Sequence, residues 1–146
     1  MVSSKLERLF PRLSGVPYQI TSPAVPDYNC VAWAANDSSR WWWPDEFYQY
    51  YWPEEAPRLP SLEAFAQAFQ LLGFEVCSNL EFEAGWEKVV IFAGMDHVPT
   101  HVARQLPDGT WTSKLGNLED IKHPHIHQVG GDAYGEPTLI LRRRKR

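Results

Sequence analysis

One cysteine in the chain stands where its thiol could act as a nucleophile. Cys30 begins an apolar run, from Cys30 to Ala35, that predicts a short helix. Asp27 or Asn29 can cap its first turn. The positive end of a helix dipole favours the thiolate, which is the nucleophilic form of cysteine. Cys30 is therefore the first candidate catalytic residue; the alternative is a small residue packed in the core.

A cysteine nucleophile needs a base within hydrogen-bond reach and a polar group that orients the base. Among the five histidines, His101 opens a predicted strand that leads into a hairpin at Pro107-Asp108-Gly109. A strand is a rigid support, so His101 is the predicted base. His97, in the preceding loop, is the weaker candidate.

The segment from Trp41 to Trp52 contains eight aromatic residues among twelve. Pro44 and Pro53 exclude a single long helix. One interpretation is an irregular loop packed over a small core. The functional interpretation is an aromatic groove for sugars, peptides or flat ligands. That groove would be formed by Trp41, Trp42 and Trp43.

Three histidines alternate near the end of the chain, at His123, His125 and His127. On an extended chain they share a face and could bind Zn²⁺ together with His101 or His97. No cysteine or carboxylate stands at a recognisable ligand spacing, so a solvent-facing or turn role is the preferred interpretation. We expect no metal and no cofactor.

The pattern of elements indicates one α+β domain over residues 1–146. Helices are expected from Lys5 to Phe10, at Cys30 and after Ser61, and strands dominate from Phe74 onward. Because helices come first and strands after, we expect N-terminal helices packed on an antiparallel sheet.

The charge and hydropathy of the sequence limit the classes of partner that we expect the protein to bind. The net charge is -4, and the basic residues concentrate in a C-terminal tail, 142–146, expected to be solvated. The remaining chain is acidic, which argues against a nucleic-acid partner. No apolar run approaches the roughly 20 residues that span a bilayer, and the N-terminus lacks a secretory segment. We therefore expect a cytoplasmic protein without a membrane partner.

Two resemblances add to this interpretation. The motifs Tyr28-Asn29-Cys30-Val31-Ala32-Trp33-Ala34, Trp41-Trp42-Trp43-Pro44-Asp45 and Trp111-Thr112-Ser113-Lys114-Leu115-Gly116 resemble those of a bacterial family without an assigned activity. The order of a helix-borne cysteine and a strand-borne histidine resembles the papain-like hydrolases, most closely their NlpC/P60 and CHAP branches. That second resemblance implies a papain-like, NlpC/P60-like fold.

The papain-like resemblance also implies site residues. Tyr18 stands twelve residues before Cys30, where those enzymes keep a tyrosine, and it or Asn29 would support the oxyanion. The third polar residue falls at Ser113, where the family usually has His, Asn, Asp or Gln. Asn117 and Asp120 are the alternatives.

Two functions are therefore expected. The first is a cysteine hydrolase (amidase or peptidase) or acyltransferase that acts on a peptide or other amide-containing substrate. The second is a binding module without catalysis that uses the aromatic segment 41–52.

Overall fold

The computed structural model describes residues 3–145, which are organised around one seven-stranded sheet. Every pair of neighbouring strands is antiparallel, in the order β1-β6-β5-β4-β3-β7-β2. The strands are β1 (Gln19–Ser22), β2 (Glu75–Cys77), β3 (Trp86–Ala93), β4 (Pro99–Gln105), β5 (Trp111–Lys114), β6 (Asp120–His123) and β7 (Glu136–Arg144).

The helices are short. They are α1 (Ser4–Leu9), α2 (Cys30–Ala34) and α3 (Leu62–Gln70), with 3₁₀ turns at Pro11–Leu13 and Ile126–Val129. The α+β, papain-like expectation, with N-terminal helices packed on a sheet, is therefore wrong. Helices of six, five and nine residues cannot form a layer comparable to seven strands. The protein is a small β-rich domain.

Two features of the sequence explain this correction. The segment between α2 and α3 contains neither helix nor strand, because its prolines and crowded aromatic rings suit no regular element. The strands β1 and β6 have only four residues each and no clear hydrophobic alternation, so the sequence pattern did not reveal them.

The sheet separates two hydrophobic cores. The first face packs against α2, α3 and part of the aromatic segment, and the second packs against α1 and both 3₁₀ turns. Side chains alternate along a strand, so within β4 Val102 belongs to the first core and Ala103 to the second. Cys30 lies in the first core.

The C-terminal basic run is largely part of the sheet rather than a solvated tail. Arg142 pairs with Glu83 at 3.1 Å, and Arg143 pairs with Glu87 at 2.6 Å. Arg146 lies outside the described residues. Within residues 3–145, none of the helices has both the length and the apolar character needed to cross a membrane.

Candidate functional site

Cys30 is the first residue of α2, and Asn29 caps that helix. The Asn29 Oδ1 atom accepts hydrogen bonds from the backbone N–H of Ala32 at 3.2 Å and of Trp42 at 3.1 Å. Its Nδ2 donates to the Trp42 carbonyl oxygen at 2.9 Å. The same side chain therefore fixes the helix that carries the thiol and the start of the aromatic segment.

The thiol lines an aromatic pocket of about 320 Å³. Its walls include three rings from the aromatic segment together with Tyr134, which precedes β7. The lining residues are Asn29, Cys30, Trp41, Trp43, Tyr50, Thr100, Gly116 and Tyr134. No charged side chain belongs to this lining, so the pocket suits an uncharged, flat group.

The aromatic segment folds into a tight loop above this pocket. The backbone N–H of Trp43 donates to the Tyr51 carbonyl at 2.9 Å, and that of Tyr51 donates to the Trp41 carbonyl at 3.1 Å. Trp41 and Tyr50 pack with ring centroids 5.6 Å apart. Trp42 is buried in the first core and does not line the pocket, so two of the three predicted groove residues reach it.

Burial raises the pKa of the Cys30 thiol to about 11, although backbone N–H groups of Val102 and Val31 near the sulfur act in the opposite direction. Only 5% of Cys30 is exposed. The position at the helix N-terminus does not overcome this desolvation. The resting thiol is therefore protonated at neutral pH.

His101 belongs to a buried chain of hydrogen bonds. Its Nε2 lies 2.9 Å from the Ser113 hydroxyl, and that hydroxyl lies 2.9 Å from His123 Nε2. His123 Nδ1 lies 2.9 Å from the carbonyl oxygen of His125. Ser113, His101 and His123 are all fully buried.

The His125 carbonyl oxygen, at one end of these hydrogen bonds, determines which atom is the donor in each of them. A carbonyl can only accept, so His123 Nδ1 carries hydrogen and its Nε2 accepts from Ser113. Ser113 then accepts from His101 Nε2, which leaves His101 Nδ1 without hydrogen.

His101 Nδ1 is thus a buried proton acceptor, and no group in residues 3–145 hydrogen-bonds to it. Burial, together with the nearby His123, lowers the pKa of His101 well below its usual range. Burial also lowers the pKa of His123 to about 4. Both imidazoles are therefore neutral at neutral pH.

Cys30 and His101 make no hydrogen bond with each other in the described part of the chain. The His101 ring packs edge-on to Phe92 in the second core, whereas α2 packs on the first face. β4 and β5 pair only at Arg104–Thr112 and Gln105–Trp111, so His101 has no backbone partner on β5, whereas on its other side it pairs with Phe92 of β3.

Tyr134 connects the histidine to the pocket. Its ring stacks on His101 with centroids 4.2 Å apart and planes 8° apart, and it lines the pocket beside Cys30. Burial and the neighbouring Cys30 raise the pKa of the Tyr134 phenol, which keeps its hydroxyl protonated.

The remaining predicted residues lie elsewhere. Asn117 is exposed. Asp120, on β6, accepts hydrogen bonds from Tyr28 at 2.7 Å and from Thr21 at 2.5 Å. It therefore connects β6 to β1 and to the loop that precedes α2. The Tyr18 hydroxyl donates to Glu7 at 2.7 Å and accepts from the Ser3 N–H at 2.6 Å. Only Ser113, of the three orienting candidates, contacts His101.

The three alternating histidines do not converge. His123 is buried in the hydrogen-bonded chain. His125 precedes the second 3₁₀ turn and His127 lies within it, and both are exposed. Among residues 3–145 no group of three potential metal ligands is close enough to hold an ion.

Sequence reasoning missed His123 and Tyr134 as parts of this site. His123 pairs across the sheet with Trp111, two residues from Ser113 on the same face, so recognising β6 would have found it. Tyr134 lies in a loop between Gly131 and Gly135, and no pattern in the sequence marks it.

The fold and the site define a small antiparallel-sheet domain with a buried thiol in an aromatic pocket and a hydrogen-bonded histidine chain beside it. A family model described as Domain of unknown function (DUF7689) matches residues 19–142, and the chain belongs to that family. No curated protein and no solved structure matches the chain.

Proposed function

We propose that the protein is a cysteine-dependent hydrolase or acyltransferase that acts on the carbonyl group of a peptide or of another amide or ester. Cys30 is the nucleophile and His101 is the base. The order of cysteine and histidine, which resembles that of the NlpC/P60 and CHAP hydrolases, supports this chemistry, although the fold is different.

One observation carries the proposal: His101 Nδ1 is a buried nitrogen with a free lone pair, and it has no hydrogen-bond partner among the residues that the structure describes. An unpaired buried polar atom costs about 1–3 kcal/mol, and a catalytic role is one of the few reasons to retain it. The chain through Ser113 and His123 holds His101 in the one neutral tautomer that leaves this atom able to accept a proton.

The reaction starts from a neutral thiol and a neutral imidazole. In the reaction, His101 Nδ1 takes the thiol proton as the sulfur attacks the carbonyl carbon. The imidazolium then gives this proton to the leaving amine or alcohol, which departs and leaves a thioester on Cys30. Water or an amine attacks the thioester and restores the thiol.

The test is the pH dependence of iodoacetamide alkylation at Cys30, followed by mass spectrometry in a Cys77→Ser background. With His101 as base we expect a rate that is nearly level from pH 6 to 9, since thiol and imidazole both stay neutral there. In His101→Ala the rate should follow the thiolate fraction and rise about tenfold per pH unit.

His97→Ala is the matched control, because His97 is exposed and should not change the profile. Equal tenfold-per-unit slopes in the wild-type protein and His101→Ala would contradict the assignment of His101 as base.

A second function, a binding module without catalysis, is favoured by the raised pKa of Cys30 and by the aromatic pocket walls. In this case a flat, uncharged ligand would occupy the pocket, and Cys30→Ala would bind it as tightly as the wild-type protein. Trp43→Ala, which removes one wall, would weaken binding in both backgrounds.

A further inference from the structure

The proposed acyl transfer needs a hydrogen-bond donor for the oxygen that becomes negative when sulfur attacks the carbonyl. The two side chains expected to supply it are already engaged. Tyr18 bonds to Glu7 and Ser3 beside α1. Both polar atoms of the Asn29 side chain bond to the backbone.

Tyr134 is the available donor. Its ring lines the same pocket as Cys30, and because its pKa is raised by burial, its hydroxyl keeps a proton to donate. Two other donors of the lining are engaged. The Thr100 hydroxyl is directed to the carbonyl oxygens of Tyr134 and Phe92, and the Trp41 indole N–H donates to the Pro26 carbonyl oxygen.

The backbone holds Tyr134 firmly in this place. Gly131 and Gly135 hydrogen-bond to each other through both their N–H groups, at 2.8 and 2.7 Å, and close the loop that carries the tyrosine. The ring packs against Phe10 at 5.2 Å and against His101 at 4.2 Å between centroids. A donor fixed before the reaction is the arrangement that stabilises developing charge most effectively.

We infer that Tyr134 is a further catalytic residue, whose hydroxyl donates a hydrogen bond to the oxyanion formed when Cys30 attacks a carbonyl group. The new bond joins the sulfur to the carbonyl carbon, and the carbonyl π electrons move to the oxygen that faces Tyr134. The tyrosine keeps its proton throughout. The inference rests on the proposed function, because the oxyanion exists only if Cys30 is acylated.

Two reactions of the same thiol separate this role from a structural one. Acylation by 4-nitrophenyl acetate passes through an oxyanion and releases 4-nitrophenolate, which absorbs visible light. Alkylation by iodoacetamide displaces iodide at a saturated carbon and forms no oxyanion. Tyr134→Phe keeps the ring stacked on His101 and removes only the hydroxyl.

In Tyr134→Phe we expect acylation of Cys30 to slow by about 10²–10³-fold, the usual cost of one oxyanion donor. The rate and pH profile of alkylation should stay as in the wild-type protein. Tyr48→Phe is the matched control, since this tyrosine is exposed and does not line the pocket, and both of its rates should be unchanged.

Unchanged acylation in Tyr134→Phe, with acylation still lost in His101→Ala, would overturn the role of Tyr134 and leave the proposed function intact. An equal fall in acylation and alkylation would also overturn it, because Tyr134 would then only position other groups. Acylation that is the same in wild type and His101→Ala would overturn the proposed function itself, and this inference with it.

Discussion

Tyr134 lies flat on His101, with ring centroids 4.2 Å apart and planes 8° apart. Phe92 packs against the same imidazole at 5.2 Å from another direction, and Ser113 holds its Nε2. The ring is therefore restrained on several sides. The imidazole can rotate very little, and its hydrogen bond to Ser113 determines which ring nitrogen carries the proton.

Removing the Ser113 hydroxyl should remove the interaction that keeps the His101 proton on Nε2. In Ser113→Ala we expect His101 to populate both neutral tautomers, because Nε2–H loses the acceptor that selects it. The ¹⁵N chemical shifts of the two ring nitrogens, measured by NMR, report the tautomer directly. In the wild-type protein they should show hydrogen on Nε2 alone.

Thr112→Ala is the control for this experiment. Thr112 neighbours Ser113, but its hydroxyl accepts from the Trp33 indole at 2.9 Å on the opposite face of the sheet. The His101 tautomer should not change in this variant. A wild-type spectrum with hydrogen on Nδ1 would refute the direction assigned to the chain.

Acid should destabilise the protein through its buried histidines. Burial lowers the pKa of His123 from 6.5 to about 4, and it lowers that of His101 as well. As the pH falls below 6.5, these histidines therefore bind protons in the unfolded chain while they stay neutral in the folded chain. The stabilisation is complete above pH 6.5 and falls toward pH 4, by up to about 1.4 kcal/mol per pH unit for each histidine.

Urea unfolding at pH 7, 6 and 5 measures this loss. His123→Gln should reduce the decline in unfolding free energy between pH 6 and 5 by about 1.2 kcal/mol. The exposed His125, replaced by Gln, should leave the decline nearly as it is in the wild-type protein. Identical declines in the two variants would show that His123 is not buried in its neutral form.

Lys114 should be a determinant of stability although it carries a charge. Its fully buried ammonium donates to three carbonyl oxygens at 2.6 to 2.8 Å. These belong to Val25, Gly116 and Leu118. Lys114→Met leaves these acceptors unpaired, so we expect a loss of about 2–5 kcal/mol in unfolding free energy.

Lys122→Met is the comparison for Lys114→Met. Lys122 is partly exposed and pairs with Asp108 at 2.6 Å, so its removal should cost less than about 1 kcal/mol. Chemical denaturation of both variants gives the two values. A loss near 1 kcal/mol or less in Lys114→Met would contradict the role given to its three bonds.

Gly135 should tolerate no side chain. Its φ of 75° belongs to the left-handed region, and a Cβ atom would collide with the backbone of Ala93. Gly85 has a similar φ of 85° but open space around it. We expect Gly85→Ala to cost about 1 kcal/mol from backbone strain alone.

Gly135→Ala should cost several times as much, because it adds a backbone collision to the strain. Thermal unfolding of the two variants compares these costs directly. Equal midpoints would show that the loop carrying Tyr134 can move away from Ala93.

Sequence reasoning predicted the local elements near the site better than their assembly. The helix cap (expected at Asp27 or Asn29 and formed by Asn29), the helix that starts at Cys30 and the hairpin after His101 depend on short-range rules, and all three are present. The assembly depends on strands such as β6, where Asp120 and His123 are buried polar residues. Such residues hide the alternation by which strands are recognised, and their partners exist only after the sheet has formed.

Asn29 connects the aromatic loop of the pocket to the helix that carries the Cys30 thiol. One amide group closes the first turn of α2 and also holds Trp42 by two hydrogen bonds. Exchanging the aromatic loop to alter selectivity would therefore also loosen the helix on which Cys30 stands. An exchange of this loop for that of another protein must therefore include all residues from 29 to 51. The pocket and the nucleophile have to be redesigned together.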